Sequence, residues 1–480
     1  MSFKKTILAV AAVGALTAAT AVPAMALENE FHGLYRLFAF ETNAETGGSA
    51  FNLNQHARDT FFVEQRARLM YIAKANDDLK LVTHFELDSR FGGQDTSRSA
   101  TGAVNATSNK YPNGDGGSLD ADRVNLEMKN IYLDFNVPAT PVNMKVGIQP
   151  FNDAFQGVFG NFDGAGAVAS AKIGPFTPTL GWFRIGDNNY FGKNLVSTTN
   201  TSANPNGQSE ILPGKQSQDL IVVDGKFAIT KDIVVGASYY NVQNDRGSAA
   251  AVSDPTTTYE LLHMLGVNAN VKVGPAALSG FVAYQFGDYT GTRDLSAFAA
   301  SAIAKVEAGP GKINGSALYL SGQKDRSATA TGDFKAFRQL DSTGTVSYFN
   351  PSNMWLLVRN GQTINSSTAI GGTDLTKGNA GLIGFFGGYE VALNKLILSG
   401  NAGYAMVDKK GTATSSSIGT ELNATVGYKV YDNLTASFTA AYLFLGKGEN
   451  SRTASATLLP GGVRDASNPY MTNIQLNYVF

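Results

Sequence analysis

The chain has no cysteine. That removes disulfide staples, thiolate nucleophiles, cysteine-held metals and covalently attached haem together. Beyond the first two dozen residues no window holds about twenty uninterrupted apolar residues, which excludes a membrane body built of spanning helices. Charge is sparse, at 16% of residues. With Lys4 and Lys5 set aside, the 38 basic residues become 36 against 39 acidic ones, a net of −3. No cationic excess is left for a polyanion, so nucleic acid is not an expected partner. Histidine occurs four times, as His32, His56, His84 and His263. His84, Glu86 and Asp88 share a strand face, but residues two apart on a strand are roughly 7 Å apart, too far to chelate one ion. His263 stands alone among apolar neighbours, and no G-x-S-x-G, H-E-x-x-H or P-loop spacing occurs. Neither an enzyme nor a cofactor or metal protein is expected.

What the chain does have is glycine and aromatics: 52 Gly, 29 Phe and 19 Tyr, a composition of sheet with tight turns. At the start, Lys4 and Lys5 precede an apolar run from Ile7 to about Ala21 and then Pro23-Ala-Met-Ala26. This pattern predicts a signal peptide over residues 1–26, with cleavage after Ala26. From residue 27 to 480 the texture is uniform, with no charged or proline-rich linker, and one continuous domain is expected.

That texture is period-two alternation. In the last strand Phe480, Tyr478, Leu476 and Ile474 share one parity, and Asn477, Gln475 and Asn473 the other. Near the start, Phe61, Val63, Ala67, Leu69 and Tyr71 oppose Glu64, Arg66, Arg68 and Lys74; then Leu79, Leu81, Phe85 and Leu87 oppose Lys80, His84, Glu86 and Asp88. The following arm, with Arg123, Glu127 and Lys129, slips phase near Asn130, which predicts a β-bulge. Short connections at 137–141, 174–175, 230–232, 274–275, 309–311, 393–395 and 431–433 alternate with long polar ones, among them 42–60, 90–122, 150–164, 287–295 and 322–379. Short turns at one end and long loops at the other are the rhythm of an antiparallel up-and-down transmembrane β-barrel. About eighteen strands are counted, or sixteen if one hairpin is loop. The alanine-rich arm 297–308 is the weakest, since such a sequence also suits a helix.

In hydrocarbon every backbone N–H and C=O must be paired inside the protein, so the oily parity faces lipid and the charged parity lines the inside. At this strand number wall side chains do not fill the interior, and water does. Arg36, Arg66, Arg68, Lys80, His84, Arg123 and Lys129 then form a basic wall of the pore, with Glu64, Glu86, Asp88 and Glu127 as pore-lining acids that also neutralise it from neighbouring strands. Aromatics such as Tyr35, Tyr132, Trp182, Tyr404, Tyr442 and Tyr478 fall near strand ends, as interfacial girdles require.

Three stretches carry a resemblance: Lys129-Asn-Ile-Tyr-Leu-Asp-Phe135, Met144-Lys-Val-Gly-Ile-Gln-Pro-Phe151 and Asn152-Asp-Ala-Phe-Gln-Gly-Val-Phe-Gly160. Together with the C-terminal strand they resemble the general diffusion porins of Gram-negative outer membranes. The resemblance implies export to the outer membrane and passive diffusion of small hydrophilic solutes and ions through a homotrimeric barrel. It implies contact with outer-membrane lipid, and insertion by a machinery that reads the terminal aromatics Tyr478 and Phe480. It further implies that the loop at 150–164 folds inward, with Asp153 and Asp163 opposing the basic wall. The aromatic-rich stretch 322–379 is a second candidate for the mouth. Two other readings stand beside this one: a substrate-selective channel for sugars or organic acids, and a structural barrel that scaffolds partner proteins.

Overall fold

The computed structural model describes residues 28–43, 59–92, 126–187, 217–244, 261–290, 293–326, 330–340, 346–361, 374–450 and 468–480. The expected signal peptide and Arg123 lie outside the described residues. Eighteen strands follow one another: β1 (Glu28–Thr42), β2 (Thr60–Asn76), β3 (Leu79–Arg90), β4 (Leu126–Asn136), β5 (Val142–Asn152), β6 (Asn161–Ala171), β7 (Phe176–Asp187), β8 (Ser217–Thr230) and β9 (Ile233–Asn244). The second half comprises β10 (Leu261–Val273), β11 (Ala276–Thr290), β12 (Arg293–Ala308), β13 (Gly311–Leu320), β14 (Leu382–Leu393), β15 (Leu396–Met406), β16 (Ser417–Tyr431), β17 (Leu434–Leu445) and β18 (Tyr470–Val479). Each pairs antiparallel with the next, and β18 returns to β1, so the sheet closes into an 18-strand barrel.

The pleat sorts the side chains. On β1 the row containing Phe38 and Phe40 is buried inside, while Phe31 on the other parity is 59% exposed. Outward rows elsewhere carry Phe61, Leu69, Val146, Leu180, Val267 and Phe438, all exposed. Tight turns close one end of the barrel. Gly174, Gly274 and Gly309 adopt φ of 58°, 54° and 59° in these turns, a left-handed conformation that glycine enters without steric cost. The expected bulge is present: the β3–β4 register shifts between His84 and Phe85, which pair with Asn130 and Met128 and leave Lys129 as the extra residue.

Two details depart from the sequence reading, and a third confirms its weakest strand. The connection expected as a long loop at 287–295 is short, because β11 runs to Thr290 and β12 begins at Arg293. Pairing extends there because the strand ends are held from inside: Tyr289 stacks on Phe334 with ring centroids 3.8 Å apart, and Arg293 donates to the Gly332 carbonyl at 2.8 Å. The alanine-rich arm is strand throughout, and Ala297 and Ala299 are buried where only a small side chain fits against the barrel contents. Tyr132, expected at an interface, has inward parity opposite Gly147, and the Lys145 ammonium lies 5.8 Å from its ring centroid.

The seam that closes the ring extends one residue past β18. Gly33 and Phe480 exchange backbone hydrogen bonds at 2.8 and 3.0 Å, and the Phe480 ring lies across Gly33. A Cβ at position 33 would stand 2.0 Å from the ring, so the terminal aromatic sits flat on β1 only because residue 33 has none. Gly33→Val is expected to displace the ring and lower the unfolding temperature of the detergent-solubilised barrel by a few degrees. Phe480→Ala should lose a similar amount, and the double variant little more than either alone. Thermal scans of the four proteins check this; strictly additive losses would show that the two positions do not share the contact.

Candidate functional site

Two stretches between strands run through the enclosed space. The first, 153–160, connects β5 to β6 and is built around one carboxylate. Asp153 is 8% exposed; its Oδ1 accepts the Phe155 and Gly157 amides at 2.8 Å, and its Oδ2 accepts those of Phe159 and Gly160 at 2.7 Å. Four amides with no ladder partner thus converge on two oxygens. Burial pushes the carboxyl up to about 6, with the amides pulling the other way. The cage aims Phe155 at the far wall. Its ring packs edge-on against Tyr240 and Phe281, at 5.4 Å from each, over Gly266, whose missing Cβ would lie 2.3 Å from it. Gln156 accepts a 2.5 Å hydrogen bond from Ser301 of β12.

The second stretch lies between β13 and β14. Its parts at 330–340 and 346–361 carry Phe334, Phe337, Phe349, Trp355 and Leu357, all buried. It pairs with the first stretch through Leu340 N–H to the Phe159 carbonyl at 2.9 Å and Tyr348 N–H to the Gly157 carbonyl at 2.9 Å. On the wall, the Gln285 side chain and the Arg338 backbone exchange two hydrogen bonds of 2.7 Å. Further round, the Ser316 hydroxyl donates to the Pro351 carbonyl at 2.8 Å. Glu421 of β16 is fully buried and accepts the amides of Trp355, Leu356 and Leu357 at 2.8, 2.9 and 2.6 Å, with Asn423 donating to it at 2.9 Å. Gln218 of β8 donates to the Leu340 carbonyl at 3.4 Å. From β8 to β16 these anchors form one unbroken arc, and both stretches lean on it.

The charged residues expected to line the pore lie on β1 to β4 among the described residues. Arg66 donates Nε and Nη2 to the two oxygens of Asp88 at 2.8 and 2.6 Å and approaches Glu86 at 3.4 Å. Arg68 pairs with Glu86, Arg90 with Glu64 at 3.1 Å, and Lys80 with Asp134 at 3.4 Å. Glu127 is in register with Glu86 on the inward row. His84 Nδ1 lies 3.2 Å from Asn130 Oδ1. Arg36 differs: in register with Arg66, it donates to the neutral Asn477 Oδ1 at 3.1 Å. Cross-strand pairing therefore neutralises most of the basic row, and the guanidinium of Arg36 stands among cations with an amide partner.

The two candidate constriction acids differ in what they face. Asp153 is on the inward stretch, but its oxygens face that stretch's own amides. Asp163 is a residue of β6, not of the loop. Its register partner is Pro150, and its parity is opposite to that of Phe162, which pairs with inward Phe151. Its carboxylate nevertheless pairs with Lys129, the extra residue of the bulge and a member of the expected basic wall, and accepts a hydrogen bond at 2.7 Å from Asn130, the residue that also meets His84. Sequence reasoning missed Glu421, although a lone acid between Thr420 and Leu422 on an inward row of small and amide residues was a readable signal.

Glu421→Gln is expected to keep the barrel closed while replacing one acceptor oxygen with a donor that faces amides, a loss of about 1–3 kcal/mol at that anchor. Hydrogen exchange at the amides of 355–357 should rise while those of 155–160 stay protected. Equal exchange in both proteins would show that the carboxylate does not hold the stretch.

No family model matches the sequence, and no curated protein matches it. Solved structures do. Acinetobacter baumannii OccAB1 superposes with a TM-score of 0.54 at 12% identity, covering 94% of this chain and 96% of that one. A BenF-like porin from Pseudomonas fluorescens Pf-5 gives 0.52 at 11% identity, over 94% and 98%. Pseudomonas aeruginosa OccK2 (OpdF), in complex with glucuronate, gives 0.51 at 11% identity, over 94% and 98%. At these identities the likeness is one of architecture: the chain has the closed, 18-strand barrel fold of Gram-negative outer-membrane porins.

Proposed function

We propose that the protein is an outer-membrane channel through which small hydrophilic solutes diffuse passively, and that it favours solutes bearing a carboxylate. The observation that carries this reading is the division of the interior. The inward stretches pack against β8 to β16, and the arc that faces them is lined by paired charges with Arg36 at mid-wall. Water and a polar solute can pass only where the wall supplies hydrogen-bond partners, which is the charged arc. A guanidinium whose neighbour is an amide can exchange that bond for one to a passing carboxylate without leaving a buried acid unpaired. The reading is narrower than general diffusion, because the two stretches occupy space that an open barrel would leave to water. OccK2, crystallised with the sugar acid glucuronate, is a fold neighbour whose ligand fits the same chemistry.

The resemblance to general diffusion porins supplies the rest of the reading: lipid covers the outward rows, Tyr478 and Phe480 carry the insertion signal, and assembly is as a homotrimer.

Planar-bilayer recordings of the purified protein in a salt gradient test the proposal. Wild type is expected to prefer anions and to show saturable current block by glucuronate. Arg36→Gln should lower the anion preference a few-fold and weaken the block. Arg66→Gln should move the reversal potential further toward cations, since it leaves Asp88 without its partner and Glu86 with Arg68 alone. A barrel that carries no ions would point to a scaffolding role, and selectivity untouched by either change would remove Arg36 and Arg66 from the pathway.

A further inference from the structure

At Arg36 the charged arc passes into strands that bring hydrogen-bonding groups without charge. On β16, β17 and β18 the only charged inward side chains among the described residues are Glu421, which holds the inward stretch, and Lys429 at the turn end. Between them the inward parity carries hydroxyls and amides, and two register rows lie side by side. Arg36 is opposite Asn477, and Asn477 opposite Thr435; Phe38 is opposite Gln475, and Gln475 opposite Ser437. Their strand neighbours Phe438, Ile474 and Leu476 point outward and are exposed. Thr435, Ser437, Gln475 and Asn477 are half-buried, and on this parity their open side is turned to the lumen.

These groups differ in what they already hold. The Thr425 and Thr439 hydroxyls, one step further up the wall, satisfy each other at 2.8 Å. The side chains of Thr435, Ser437 and Gln475 have no hydrogen-bond partner among the described residues. Asn477 accepts the Arg36 Nε–H through Oδ1 at 3.1 Å, which leaves its own amide hydrogens to donate into the lumen. The same guanidinium rests 5.5 Å from the centre of the Phe38 ring, and that ring stacks on Phe40 with centroids 5.6 Å apart. Arg36 is thus fixed from two sides. Gln475 lies on the diagonal from it, roughly 7–8 Å away by sheet geometry, which is about the length of a six-carbon chain.

We propose that these rows are a hydroxyl-binding subsite, and that the favoured solute is a polyhydroxylated acid, with its carboxylate on Arg36 and its hydroxyl groups on Asn477, Gln475 and Ser437. The inference rests on the carboxylate reading given above and adds what the remainder of the solute meets. A hydroxyl group both donates and accepts, as the amide and hydroxyl side chains here do, so such a solute exchanges water for wall contacts along its whole length. An acid with a bare hydrocarbon tail engages Arg36 alone, and its tail displaces water from Gln475 and Ser437 without replacing the bonds.

Current block of the full chain in planar bilayers is compared for gluconate, for hexanoate, which has the same chain length and charge but no hydroxyls, and for sorbitol, which has the hydroxyls without the charge. Wild type is expected to bind gluconate roughly tenfold more tightly than hexanoate, the worth of one or two hydrogen bonds. In the S437A/Q475A double variant that ratio should fall close to one, whereas Arg36→Gln should weaken both acids together. Lys395→Gln, in the tight turn between β14 and β15, should keep the wild-type ratio. Equal block by the two acids in wild type, or an unchanged ratio in a heat-modifiable, correctly folded double variant, overturns the subsite and leaves Arg36 as the carboxylate contact. Block by sorbitol that the double variant loses, with no block by either acid, supports the hydroxyl rows and overturns the carboxylate reading instead. Block by none of the three overturns both.

Discussion

The structure depends on closure of the backbone hydrogen-bond ladder around a ring. In hydrocarbon an unpaired amide or carbonyl has no water to turn to, and each would cost several kcal/mol. An open sheet has two such edges; here β18 meets β1 and neither exists. The closing step is made by residues at opposite ends of the described chain, with Gly33 and Phe480 exchanging backbone bonds at the last position. Strand number then sets the bore, and with eighteen strands the interior exceeds what wall side chains fill.

That surplus interior is where the chain puts two of its connections, and the physical problem is the same in both. A segment inside a barrel brings amides that no ladder satisfies. Asp153 solves this within its own segment, gathering four amides on two oxygens, whereas Glu421 solves it from the wall, gathering three. Aromatic packing completes the hold. Phe155 rests between Tyr240 and Phe281, Phe334 on Tyr289, and Phe349 against Phe386. The carboxylates of Asp153 and Glu421 thus serve chain geometry, whereas Glu64, Glu86 and Asp88 on β2 and β3 neutralise arginines.

The division of the interior gives the candidate channel its character. One arc supports the inward stretches; the other carries crossed ion pairs whose charges cancel nearly everywhere except beside Arg36. A wall of this kind interacts with solutes through hydrogen bonds and one local excess of positive charge, not through a strong uniform field.

Alternation is a local property of the pleat, so it was legible residue by residue. The sequence by itself determined the strand rhythm, the count near eighteen, the turns at 137–141 and 393–395, the bulge near Asn130 and the charged rows of β2 and β3. The resemblance to porins marked 150–164 as a candidate to fold inward, and the aromatic content of 322–379, high for a solvated connection, marked that stretch as another. Only the tertiary structure decided what those stretches touch. Asp163 became a strand residue held by Lys129 and Asn130 because β6 begins at Asn161, the connection at 287–295 shrank because Phe334 and Gly332 hold the strand ends, and Tyr132 turned inward because Gly147 made room for it. Glu421 is an anchor only because residues more than sixty positions earlier pass beside it. Side-chain parity is set by neighbours in sequence, but the partner of a buried group is set by contacts across the barrel, and periodicity carries no record of those.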